Sequence, residues 1–124
     1  MAELKEIVID ALHPAALARF WAETLEDYSL RPYDAEEVAR LAGLGLTPET
    51  DPSVALDGSG PTIFFQLTET PKAGRNRIHL DLATRDRSAE VARLEKLGAV
   101  VRDRHDGHTV MLDPEGNEFC VCDR

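Results

Sequence analysis

The sequence predicts an α+β fold in which a β-α-β-β-β unit is used twice, and three observations carry that prediction. Strand-like alternation of apolar and polar residues dominates the chain. Two amphipathic stretches at helical spacing, HPAALARFWAETL and RSAEVARLEKLG, each follow directly on an alternating run. The length of 124 residues suits one domain holding two such modules, about 1–70 and about 76–124, and can bury a core without disulfide or metal staples.

Each element follows from its own pattern. Leu4 to Ala11 alternates, with Ile7 and Ile9 on one face and Glu6, Val8 and Asp10 on the other. Pro14 then opens a helix on which Leu17, Phe20, Trp21 and Leu25 recur at helical spacing. In residues 34–46, Asp34 is placed to cap a short inserted helix carrying Val38 and Leu41, and glycine and proline breakers follow. One expected strand is shortened or replaced there. Ser53 to Leu56 and Thr62 to Thr68 read as the remaining strands of module one, with GSGP as the turn between them.

Module two repeats the order. Asn76 to Ala83 alternates, setting Ile78, Leu80 and Leu82 against Arg77, His79 and Asp81. A helix carrying Val91, Leu94 and Leu97 follows and is stopped by Gly98. Ala99 to Asp103, His108 to Asp113 and Glu118 to Cys122 complete the module as strands.

Composition narrows the partners. Twenty-three acidic residues against 14 basic ones give a net charge of −9, which repels a phosphate backbone, so no nucleic-acid partner is expected. No apolar run approaches the roughly 18 residues of a membrane span, and no secretory pattern opens the chain; the expectation is no membrane partner and a cytoplasmic location. Cys120 and Cys122, one residue apart on a strand, lack the geometry to bridge each other and are expected as reduced thiols. Serines occur only in capping or loop contexts, so no hydrolase signature is present.

Strand register proposes a pocket. With Ile63, Phe65, Val110, Leu112, Phe119 and Val121 among the residues under the helices, the opposite face receives Asp10, Phe64, Gln66, His79, Asp81, Met111, Glu118 and Cys120. That face is more polar than a core, and its apolar walls with converging polar groups suit a small-molecule site. A solvated outer face gives the same pattern. Trp21 is a further candidate for contact with an aromatic or cationic ligand.

IVIDALHPAALARFWAETL, PTIFFQLTE, NRIHLDLATRDRSAEVARLEKLGA and the closing DPEGNEFCV together resemble the vicinal oxygen chelate superfamily, within it the small bacterial glyoxalase-like and bleomycin resistance proteins. The resemblance covers both halves and misses mainly the inserted segment. It implies paired βαβββ modules forming a curved mixed sheet around a cavity, often assembled as a homodimer. It also implies where a metal would sit in metal-dependent members: Glu6, Gln66, His79 and Cys120.

The terminal stretch LDPEGNEFCVCDR allows three readings: a calcium loop, a thiol metal or redox site, or a β-turn feeding a last strand. It lacks the alternate oxygen ligands of a calcium loop, and Asp113 to Gly116 suit a turn. A quartet with an amide and a thiolate departs from a hard-ion octahedron and favours zinc if one divalent ion binds at all. The favoured expectation is therefore a metal-free protein binding a small organic molecule. The alternative is a metal-dependent lyase or isomerase of the glyoxalase type, with Glu118, His79 or Asp81 as candidate proton carriers. His105 and His108, flanking a glycine, are expected to be solvated.

Overall fold

The computed structural model describes all 124 residues and divides them into two compact units, Met1–Pro71 and Lys72–Arg124. In the first, β1 (Glu6–Ala11), α1 (Pro14–Thr24), β2 (Tyr28–Leu30), α2 (Ala35–Gly43), β3 (Ser53–Gly58) and β4 (Thr62–Leu67) follow in order. In the second come β5 (Leu80–Thr84), α3 (Arg87–Lys96), β6 (Val100–Arg104), β7 (His108–Leu112) and β8 (Glu118–Asp123). With α2 set aside, both units read β-α-β-β-β. Each forms its own mixed four-stranded sheet: sheet A in the order β1-β4-β3-β2 and sheet B in the order β5-β8-β7-β6. The first and last strands of each unit pair in parallel, and the others pair antiparallel.

In the first unit α1 packs on sheet A, with Pro14 in its first turn and Leu17, Ala18, Phe20 and Trp21 buried. Phe20 and Trp21 meet edge to face at 5.4 Å. Val54, Leu56, Ile63 and Phe65 close the core beneath them. β2 is short, as the inserted segment led one to expect. Its Tyr28 ring lies across the β3–β4 turn and donates its hydroxyl to Pro61 O at 2.9 Å. A side chain at Gly58 would put its Cβ 2.6 Å from that ring, so only glycine fits there.

In the second unit Asp86 caps α3 by accepting from Ala89 N at 3.0 Å, and Val91 and Leu94 are buried. Gly98, at φ +112°, ends the helix. β5 starts at Leu80, four residues later than the alternation suggested, and Ile78 ahead of it is exposed. DPEGN forms a turn around a buried carboxylate. Asp113 accepts from the backbone N–H groups of Glu115 and Asn117 and from the Asn117 amide at 2.8–2.9 Å, while Gly116 takes φ +85°. Those contacts make Asp113 a turn-former, not a calcium ligand.

Two sequence-based placements need correction. Met111 pairs with buried Phe119 and is itself 0% exposed, so it lies in the core under α3, while Val110 and Leu112 take the open face. Three consecutive apolar residues leave parity undecided in the sequence, and pairing with β8 decides it. Trp21, 3% exposed, belongs to the α1–sheet A core and not to the open face. No helix is long and apolar enough to cross a membrane.

Candidate functional site

Parallel pairing of β5 with β8 sets Asp81 beside Cys120, and His79, the residue just before β5, comes to the same side. One ligand atom from each of these residues falls within 4.8 Å of the others. His79 Nε2 lies 3.3 Å from Asp81 Oδ1. The cluster opens into a concavity of about 380 Å³ that also takes in Asp106, His108 and Cys122. His108 is the cross-strand neighbour of Cys122, and its ring stacks on His105 at 4.7 Å. His108 is therefore half-buried at the site rather than an ordinary solvated turn residue.

The thiols sit in a disfavouring field. Burial pushes the Cys120 thiol up, the Asp81 carboxylate adds to the shift, and burial followed by Asp81 does the same at Cys122. Such a thiol is a weak nucleophile at neutral pH, which argues against covalent thiol catalysis. A cation beside it reverses that balance by stabilising the thiolate. Imidazole, carboxylate and thiolate together are a donor set that could hold a zinc-type ion. A thiolate among them suits magnesium or manganese poorly.

Glu118 is placed differently. Its carboxylate accepts from Asn76 N at 2.8 Å, meets Arg102 Nη1 at 3.2 Å and Lys72 Nζ at 3.4 Å, and is held below the usual glutamate range, first by the Asn76 hydrogen bond. A bulge between Val101 and Asp103 sets Arg102 out of the regular β6–β7 register. The carboxylate thus ties residues 72–76 to β8 and is a poor proton acceptor.

On sheet A, the residues expected from strand alternation share one face but do not converge. Glu6 pairs with Thr62 and Gln66 with Asp10, which separates Glu6 from Gln66 by four residues along parallel strands, about 13 Å. The two cannot hold one ion together. The unit-one counterpart of the His79–Cys120 pair is Glu6 with Phe64: Ile7 pairs with Ile63 as Leu80 pairs with Phe119, and Phe64, like Cys120, lies one residue further on. Asp10 and Gln66 are exposed on the same face, and Phe64 is half-buried beneath the Arg31 guanidinium at 5.4 Å.

In the sequence, His79 and Cys120 were expected as ligand contacts, and as metal ligands only if an ion bound at all, while Asp81 was expected only as a proton carrier or ligand contact. Its spacing of two from His79 on one strand was the available signal. His108 was expected to be solvated; its place beside Cys122 follows from the β7–β8 pairing, which the sequence left open.

Comparison with known proteins agrees with this architecture. A glyoxalase-like domain family model matches residues 6–122. A search of the curated proteins finds no match. Among solved structures, a glyoxalase/bleomycin resistance protein/dioxygenase family enzyme from Burkholderia phytofirmans PsJN is similar with TM-score 0.69 and 16% identity, covering 98% of each chain. The fosfomycin resistance protein FosX from Mesorhizobium loti is similar with TM-score 0.66 and 15% identity, over 98% of this chain and 91% of that one. The trypanothione-dependent glyoxalase I of Leishmania major gives TM-score 0.62 and 17% identity, over 99% and 87%. At these identities the structures show a shared fold. With the family model spanning nearly the whole chain, and with two β-α-β-β-β units in its structure, the protein belongs to the glyoxalase-like domain family of the vicinal oxygen chelate superfamily.

Proposed function

We propose that the protein is a lyase or isomerase of the glyoxalase type, taking a small organic substrate with vicinal oxygens beside a zinc-type ion held by His79, Asp81 and Cys120. The observation that carries this reading is the convergence of three chemically different donor atoms within 4.8 Å. It favours the metal-dependent alternative over metal-free binding. Bound zinc would supply a Lewis acid for a substrate oxygen. The chain supplies the rest: Asp81 orients the His79 ring through their 3.3 Å contact, and Cys120 would hold the ion as a thiolate, its proton released to solvent. His108, in the same concavity, is the imidazole placed to move a substrate proton, a task for which Glu118 is already committed elsewhere. A homodimer, implied by the resemblance, belongs to this proposal and is checked by light scattering.

Equilibrium dialysis against zinc followed by elemental measurement tests the site. The expected result is one tightly held ion per chain, with affinity falling at least about a hundredfold in His79→Ala and Cys120→Ser. The ion should also raise Tm in the parent alone. Equal zinc content in parent and variants would sink the proposal.

A further inference from the structure

The inserted segment builds a second concavity that the donor cluster does not use. α2 and the chain leading into β3 stand over the open face of sheet A and leave a pocket of about 600 Å³. Its floor is Phe64 and Ala55, cross-strand neighbours of β4 and β3. Leu41, Leu44 and Leu46 form an apolar wall, and Leu44 remains 64% exposed despite facing an aromatic floor.

The polar groups at the rim decide the ligand class. Arg31 spends Nε and Nη2 on Asp57 at 2.8 and 2.9 Å, leaving Nη1 without a hydrogen bond. Arg40 likewise spends Nε and Nη2 on Glu37. The acids are already engaged: Asp34 accepts from Glu37 N, and Asp51, itself buried, accepts from the Tyr33 hydroxyl and Ser53 N. The rim donors left to solvent are therefore guanidinium N–H groups, which a ligand oxygen can take over from water and a plain hydrocarbon cannot. Three carboxylates against two guanidiniums also line the pocket, which disfavours a full anion.

We propose that this pocket binds a neutral, planar aromatic molecule carrying carbonyl-type acceptor oxygens, its ring against Phe64 and Leu44 and its oxygen on Arg31 Nη1. The site stands whether or not the His79 cluster takes a metal.

Coumarin, which has this chemistry, is the probe, titrated into the ¹⁵N-labelled full chain with amide shifts followed by NMR. Saturable shifts are expected at residues 31–55 and at Phe64. Affinity should fall about tenfold in Phe64→Leu and several-fold in Arg31→Met. Leu44→Ala, at an exposed position, keeps the fold intact and should weaken binding about threefold. Naphthalene and 1-naphthoate should each bind more weakly than coumarin. Absent shifts up to the solubility limit, shifts confined to residues 79–122, unchanged affinity in Phe64→Leu and Leu44→Ala, or tighter binding of 1-naphthoate would each overturn the proposal.

Discussion

The two sheets are the same device with different residues at equivalent positions. On sheet B His79 stands immediately before the first strand, and the matching position of the last strand is Cys120, so the two come together with Asp81. On sheet A those positions hold Glu6 and Phe64, and an aromatic ring stands where a second ligand is needed. One face thus gathers groups that could hold a metal, and the other gathers apolar area. The inserted segment adds to that difference, because α2 roofs the aromatic face alone. A β-α-β-β-β unit fixes where a side chain points but not what chemistry it brings, so two units of one topology can carry different chemistry.

The comparison can be broken most sharply at the faces themselves. Phe65, fully buried under α1, should cost about 3–5 kcal/mol as Phe65→Ala, whereas Phe64→Ala on the open face should cost about 1 kcal/mol or less. Urea denaturation of the two variants measures it, and a reversed order would invert the register of sheet A. The parallel pair on sheet B is Met111→Ala, with a loss of about 2–5 kcal/mol, against Val110→Ala, with about 1 kcal/mol. Equal losses would return Met111 to the open face.

The smallest effect concerns the anchor at Glu118. Glu118→Gln keeps the shape but removes the charge that Asn76, Arg102 and Lys72 address, and should cost about 1–2 kcal/mol at neutral pH. Because the folded-state carboxyl titrates below its unfolded value, its stabilisation is present in full above the ordinary glutamate range. It is lost as pH falls through the lowered folded value. The gap between parent and variant should therefore close below about pH 4, and a gap constant down to pH 3 would assign Glu118 no electrostatic role.

Much of this is legible in the amino-acid sequence. Pro14, Asp34 and Gly98 mark helix ends by local backbone chemistry, and the alternating runs mark strands by a period that needs no partner. The DPEGN turn was readable for the same reason, since Asp113 caps it with bonds two and four residues away. His79 and Cys120 fell on one face because each strand's parity was clear.

What the sequence by itself determined is therefore local: the order of elements, the repeat of the β-α-β-β-β unit, the turns and most strand faces. Tertiary pairing alone decided the rest. The parity of three adjacent apolar residues, Val110 to Leu112, is set only by which of them meets Phe119 across the sheet. The distance from Glu6 to Gln66 is set only by the stagger of β1 on β4, and the pocket beneath α2 only by where the inserted helix comes to rest. Periodicity is a property of one segment, while register and proximity are relations between segments far apart in the chain, chosen by the burial they jointly achieve.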